Sequence, residues 1–346
     1  MHLFIKHTSA ALTINENADP DVQTDMEAIF NNLVKEREPY YEHTCEGDDD
    51  MPAHAKSTIV GAELTIPITN GRMNMGIWQG IYLCGNRTRG GGRNNLTSIA
   101  VFSLKKKKAI IIGATSGIGQ EVAGILVQQG WRIGIAGRRK EVLRSMQQAN
   151  PQQIEIQHLD VTKENAVLHL TELIDRLGGM DLFFLSSGVG FQNRNLEPEI
   201  ELNTARTNVE GFIRMVTAAF DYFKKTKNGH IAVISSIAGT KGLGVAPAYS
   251  ATKRFQNTYI DALAQLARMQ HLNIRFTDIR PGFVATDLLR NGKYPMLMHA
   301  DKVAEYIVRA LKHKKRVKVI DGRYRLLVFF WRMIPRWLWE RLPIKN

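Results

Sequence analysis

Tyr249 and Lys253 stand four residues apart, a spacing that puts two side chains on one face of an α-helix. A phenol at its ordinary pKa of about 10 is a poor base near neutrality, and an adjacent ammonium lowers that value. The pair is therefore suited to moving a proton. Far upstream, Gly113-Ala114-Thr115-Ser116-Gly117-Ile118-Gly119 follows the apolar run 109–112 and leads into a helix starting near Ser116. Gly113 allows the tight turn, Gly117 lets backbone approach a pyrophosphate, and Gly119 lets helix and strand pack closely, with the helix N-terminus facing the phosphates. The second strand ends in Ala136-Gly137-Arg138-Arg139 and offers no carboxylate for a free ribose 2′-hydroxyl. A guanidinium pairs in fork geometry with a 2′-phosphate, so Arg138, supported by Arg139, indicates NADP(H). Asp160 and Val161, ending the third strand, are placed to hold the adenine edge.

These groups need a scaffold that returns strand after strand to one edge. Short apolar runs at 109–112, 132–136, 154–159, 182–185, 231–234, 274–279 and 317–320 alternate with helical stretches. That order predicts an α/β doubly wound parallel sheet of about seven strands, a Rossmann domain. Before Lys105 the pattern changes to a strand-like start, an amphipathic segment over 22–34, and strand-like runs at 58–68, 77–84 and 96–102, which read as a small α+β domain. The division expected is 1–104, a junction at 105–108, the Rossmann domain over 109–322, and a basic aromatic tail over 323–346.

Tyr249-Ser250-Ala251-Thr252-Lys253, with Ser236 thirteen residues earlier and the glycine turn upstream, resembles the short-chain dehydrogenase/reductase family. The resemblance implies an oxidoreductase reducing a carbonyl or oxidising an alcohol. Ser236 would hydrogen-bond the carbonyl oxygen, Tyr249 would protonate it, and Asn208 would position a water linking Lys253 to solvent. Pro281-Gly282-Phe283-Val284-Ala285-Thr286 matches the family's nicotinamide-contacting segment, with Thr286 as donor. Ser186-Ser187-Gly188 stands where the family commonly has Asn-Ala-Gly, leaving Ser186 and Gly188 to meet the cofactor ribose partly through backbone.

His7-Thr8-Ser9-Ala10-Ala11-Leu12, Asn15-Glu16-Asn17-Ala18-Asp19 and Gly76-Ile77-Trp78-Gln79-Gly80 resemble the YjbQ-type family, also called secondary thiamine-phosphate synthase enzymes. The family usually begins about a strand and a helix earlier, so this copy is expected to be truncated at its start. Ile77 replaces a frequent Thr. The resemblance implies a weak thiamine-phosphate-synthase-like condensation. His7, His43 and His54, with Glu42 and Asp49 nearby in sequence, could supply imidazoles to a divalent metal, or be ordinary surface histidines. The loop 87–93, with three arginines and three glycines, offers guanidiniums and amides to a phosphate; Glu46-Gly47-Asp48-Asp49-Asp50 reads as a solvated loop.

The chain of 346 residues carries a formal charge of +13. Residues 1–104 contribute −5, and residues 312–346 alone hold 11 basic and 2 acidic side chains. Two cysteines, Cys45 and Cys84, without metal-ligand spacing exclude a disulfide framework and fit a reducing compartment. No secretory signal opens the chain, so a cytoplasmic location is expected. The tail mixes arginines with large aromatics but is too short to span a bilayer; an interfacial helix on anionic lipid and a pocket flap or dimer contact stay open. Nucleic acid is not an expected partner; a small-molecule substrate and a homo-oligomer are. Two other functions remain: a transferase in the N-terminal domain with the reductase as passenger, and a non-catalytic dinucleotide sensor.

Overall fold

The computed structural model describes residues 1–69, 72–85, 107–287, 289 and 294–344. The chain divides into two compact units, Met1–Lys106 and Lys107–Asn346. The first unit runs β1 (His2–Phe4), β2 (Ala10–Glu16), α1 (Pro20–Leu33), α2 (Asp50–Val60), β3 (Glu63–Thr65), β4 (Ile68–Thr69), β5 (Arg72–Met73) and β6 (Gln79–Gly85). Its spine is the antiparallel ladder of β2 with β6, in register from Ala10 opposite Gly85 to Glu16 opposite Gln79. Ala11, Leu12, Ile66, Ile81 and Tyr82 are buried. Asp19 caps α1 by accepting from the Asp21 amide, with Pro20 in the first turn where its missing N–H costs nothing.

Two expectations in this unit need correction. The run 58–68 is not one strand: residues 58–60 finish α2 and only Glu63–Thr65 is extended before Ile68. Thr58, Ile59 and Val60 are carried into helix because Ala53, Lys56 and Ser57 form its buried side, and the Ser57 hydroxyl donates to the Ala53 carbonyl. The acidic run is not wholly solvated either. Asp49 and Asp50 are buried at the start of α2, where the helix N-terminus favours negative charge, and Asp48 pairs with Arg37 at 2.8 Å. The strand-like run 96–102 and the basic loop 87–93 lie outside the described residues.

The second unit runs β7 (Lys108–Ile112), α3 (Gly117–Gln128), β8 (Arg132–Gly137), α4 (Lys140–Ala149), β9 (Ile154–His158), α5 (Ala166–Leu177) and β10 (Leu182–Leu185). Then α6 (Pro198–Ala205) continues through a π-turn at Arg206–Gly211 into α7 (Phe212–Thr226), followed by β11 (Asn228–Ile234), a 3-10 turn at Ile237–Thr240 and α8 (Pro247–Met269). The remainder is β12 (Asn273–Pro281), β13 (Val284–Ala285), β14 (Met298–His299), α9 (Ala300–Lys312), β15 (Val317–Ile320), α10 (Gly322–Met333) and α11 (Arg336–Trp339). Seven strands form one parallel sheet in the order β15-β12-β11-β10-β7-β8-β9. This is the doubly wound Rossmann architecture expected.

Side chains alternate across the sheet, so Ala109 and Ile111 enter one apolar cluster while Ile110 and Ile112 enter the other. Strand order reverses between β7 and β10, which opens a crevice at their carboxyl ends. The segment read as a tail belongs to this unit. Tyr324 of α10 is fully buried; its hydroxyl donates to the Pro295 carbonyl at 2.9 Å and accepts from the Phe283 amide at 3.1 Å. The Trp339 indole donates to the Gly242 carbonyl at 2.7 Å. Among the described residues, no helix is long and apolar enough to cross a membrane.

Candidate active site

The crevice begins with the turn between β7 and α3. Gly113 has φ +86°, and a Cβ there would come within 2.6 Å of the Ser187 amide nitrogen. A Cβ on Gly119 would meet the Gly113 carbonyl at 2.2 Å. The turn accepts only glycine at both positions, leaving the helix N-terminus, with Ser116 as its cap residue, open to a pyrophosphate. Thr286 lies across this turn, since a Cβ on Gly117 would touch its Cγ2 at 2.8 Å. Ile118 is partly buried beside the sheet core.

At the end of β8, Arg138 is exposed and Arg139 turns back. The Arg139 Nε donates to the Thr115 hydroxyl at 3.4 Å, and its guanidinium pairs with Asp287 at 3.2 Å. Beyond β9, Asp160 accepts from the Thr162 amide and hydroxyl at 3.0 and 2.8 Å. Burial opposes its charge, but those two donors, Arg138 and Lys163 outweigh it and hold the carboxyl below its usual range. Val161 is buried alongside. The Ser186 amide donates to the Ile112 carbonyl at 2.8 Å, and β10 keeps its register with both neighbours through Leu185. The serine substitution therefore leaves the sheet edge closed.

Past the crevice the predicted catalytic residues converge. Ser236 follows β11, Tyr249 and Lys253 share the inner face of α8, and Asn208 is carried by the π-turn. The Tyr249 phenol lies beside Ser236, and Lys253 Nζ lies 5.7 Å from the centre of the tyrosine ring. Burial pushes the phenol above its ordinary range against the lowering effect of Ser236. In the protein alone the phenol therefore lies above its ordinary range, where the adjacent ammonium leads one to expect a lowered one. Lys253 is itself brought down to about 8, first by burial, with Asp278 opposing.

Lys253 Nζ donates to the Ile234 carbonyl and to Gln256 Oε1, both at 3.0 Å, and Gln256 Nε2 donates to the Asn208 carbonyl at 2.9 Å. Gln256 thus joins the lysine to the Asn208 backbone carbonyl. Its only sequence signal is its place three residues beyond Lys253, on the same helical face. Asn208 is buried and fixed through its side chain, which donates to the Val189 carbonyl at 2.7 Å and accepts from the Val189 amide at 2.9 Å. Gly188 brings backbone beside both Asn208 and Lys253. Beneath them, Asn257 bridges Ser235 and Asp278, and Arg280 pairs with Asp278 at 2.6 Å. Pro281 ends β12 with Gly282 just beyond it, and the Pro281 carbonyl accepts from Ser236 at 3.4 Å.

The family model for short chain dehydrogenase matches residues 107–294, more than half of the chain. The chain belongs to the short-chain dehydrogenase family. An uncharacterized oxidoreductase of Myxococcus xanthus is 35% identical over 196 residues, covering 55% of this chain and 77% of that protein. Among solved structures, an alcohol dehydrogenase of Thermococcus sibiricus complexed with 5-hydroxy-NADP aligns with TM-score 0.55 at 25% identity, over 62% of this chain and 94% of that one. A 3-ketoacyl-(acyl-carrier-protein) reductase of Brucella melitensis complexed with NADH aligns with TM-score 0.57 at 25% identity, over 64% and 98%. In this short-chain dehydrogenase the family match is preceded by a second one. Residues 1–99 match the UPF0047 protein YjbQ-like model, and the Salmonella typhimurium YjbQ protein is 46% identical over 99 residues, covering 29% of this chain and 71% of that protein.

Within the YjbQ-like unit the predicted histidines separate. His43 and His54 come together, joined by Asp50. His7 is not part of that group: its Nδ1 accepts from the Ser9 amide at 3.1 Å, because the tight turn after β1 folds the ring over its own backbone. The sequence points to His7, with Glu42 and Asp49 as the nearby carboxylates, whereas the fold brings Asp50 to the two remaining histidines.

Proposed function

We propose that the second unit is an NADP(H)-dependent reductase of carbonyl compounds, or in reverse an alcohol dehydrogenase. One observation carries this reading: Ser236, Tyr249 and Lys253 are gathered beside a turn that admits only glycine, with Arg138 and Arg139 at the neighbouring strand end. That turn, its cap residue and Ser186 fit a dinucleotide. Bound NADPH would supply the hydride. The rest falls to the chain. Tyr249, kept protonated by burial, donates its proton to the carbonyl oxygen, and the Ser236 hydroxyl hydrogen-bonds the same atom. Lys253 holds the ribose and returns a proton toward Tyr249, with Gln256 and the Asn208 carbonyl behind it. Thr286, lying over the glycine turn, is positioned for the carboxamide. Arg138, exposed and unobstructed by the Thr115–Arg139–Asp287 arrangement, meets the 2′-phosphate. Asp160 and Val161 flank the adenine.

The outward side of α10 and α11 presents Leu326, Phe329, Phe330, Met333 and Trp337 among Arg325, Arg332, Arg336 and Arg341. We read this side as a contact with an anionic bilayer surface beside the segment that Tyr324 ties down; a second copy of the chain is the other occupant such a side could take. The test of the main reading is NADPH consumption with aldehydes, ketones and 3-oxoacyl compounds. Turnover of at least one class supports it, and binding of NADPH without turnover of any class leaves a sensor.

A further inference from the structure

We infer that His43, Asp50 and His54 form a binding site for one zinc-class divalent ion in the YjbQ-like unit, independent of the reductase site. Asp50 and His54 are one turn apart on α2 and so share a face, while His43 reaches the same point from the preceding loop. The Asp50 Oδ2 atom is the meeting point, 2.7 Å from His43 Nε2 and 3.4 Å from His54 Nε2. Its side chain is only 3% exposed, so the carboxylate is set in the wall while both imidazoles reach solvent.

The proton positions on His54 decide the argument. Its Nδ1 lies 3.1 Å from the Thr8 carbonyl, which can only accept, so Nδ1 carries the hydrogen. A neutral His54 therefore turns the Nε2 lone pair on a carboxylate oxygen. Two electron-rich atoms face each other at that distance only with a proton or a cation between them. A backbone carbonyl on Nδ1 with a metal on Nε2 is the usual way a protein fixes the tautomer and direction of a ligand histidine. Ligand atoms about 2.0–2.1 Å from a tetrahedral zinc lie roughly 3.3 Å apart, and the His54–Asp50 distance of 3.4 Å already fits. His43 must draw back from its hydrogen bond, and being on a loop and half exposed it is free to do so. Two imidazoles and one carboxylate suit zinc and leave a fourth position open to water or to an oxygen of a ligand.

The full chain, stripped by dialysis against a chelator, is titrated calorimetrically with zinc and followed by visible absorption with cobalt(II). The inference predicts one equivalent bound and a visible cobalt band. His54→Ala and Asp50→Asn weaken binding at least tenfold, whereas His7→Ala keeps the same stoichiometry and affinity. His43→Ala, on a loop and least tied to folding, serves as the variant that reports even if a change at Asp50 prevents folding. Saturating zinc also raises the unfolding temperature of the wild type and not of His43→Ala. Absence of binding at millimolar metal overturns the site and leaves an imidazolium–carboxylate ion pair. Binding of equal strength in the His43→Ala and His54→Ala variants, or binding lost in His7→Ala, overturns it equally.

Discussion

The two units hold their polar groups in opposite ways. In the short-chain dehydrogenase unit, Asn208, Lys253 and Gln256 are buried and bonded to one another before any ligand arrives. In the YjbQ-like unit His43 and His54 stand half open around one buried carboxylate. On the proposed reading, a hydride site needs its proton donor fixed beside the carbonyl oxygen, which packing would provide. A metal site can be completed by the ion itself. The contrast predicts that damage to the first site changes rate with little change in cofactor affinity, and damage to the second changes affinity alone.

The largest effect should come from Tyr249→Phe, which removes the proton donor but leaves the glycine turn and Arg138 untouched. Turnover should fall about 10²–10⁴-fold, the usual worth of a general acid, with NADPH binding measured by fluorescence nearly unchanged. Residual activity within tenfold of wild type would break the assignment. Next in size, Arg138→Asp should shift preference from NADPH toward NADH by about 10–100-fold, since a charge-assisted contact is lost and a ribose acceptor gained. Comparison of kcat/KM for the two cofactors checks it; an unaltered enzyme that already prefers NADH would refute the reading of the second strand.

The pH dependence gives a smaller, graded effect. Lys253, brought down to about 8, is cationic below that pH and neutral above it. Reduction should therefore lose kcat/KM as pH rises through about 8, and in Lys253→Arg, where the guanidinium stays charged, that limb should vanish even if the rate is lower. A profile flat to pH 9 or so in the wild type would contradict it. Smallest is the surface effect. Replacing Arg332 and Arg336 by Glu should weaken cosedimentation with phosphatidylglycerol vesicles, each basic residue being worth about 1 kcal/mol near such a surface, without changing NADPH turnover in solution. Vesicle binding absent at low salt would remove the membrane contact, and a changed elution volume in the same variant would point to a second copy.

The fold of the dehydrogenase unit was legible because seven apolar runs separated by helical stretches admit few arrangements. The glycine turn and the Tyr249–Lys253 spacing were legible because the chemistry dictates residue type. What escaped depends on tertiary position. Gln256 is an ordinary polar residue on a helix until Asn208 and Lys253 flank it. Tyr324 looks like part of an aromatic tail until its ring is found against Gly282. Asp49 and Asp50 end an acidic run, and such runs are usually solvated; here the helix start draws both inward. His7 has the right type for a ligand, but the fold turns its ring to its own backbone.

The claim that matters most is that Tyr249 and its neighbours serve hydride transfer to a carbonyl, and it is tested by following the isotope. The full chain is given NADPH deuterated at the reactive nicotinamide carbon together with each carbonyl class, and the product alcohol is analysed by mass spectrometry. The account predicts one deuterium on the carbinol carbon of at least one product, lost with Tyr249→Phe. Tight NADPH binding with no deuterium delivered to any carbonyl would contradict it.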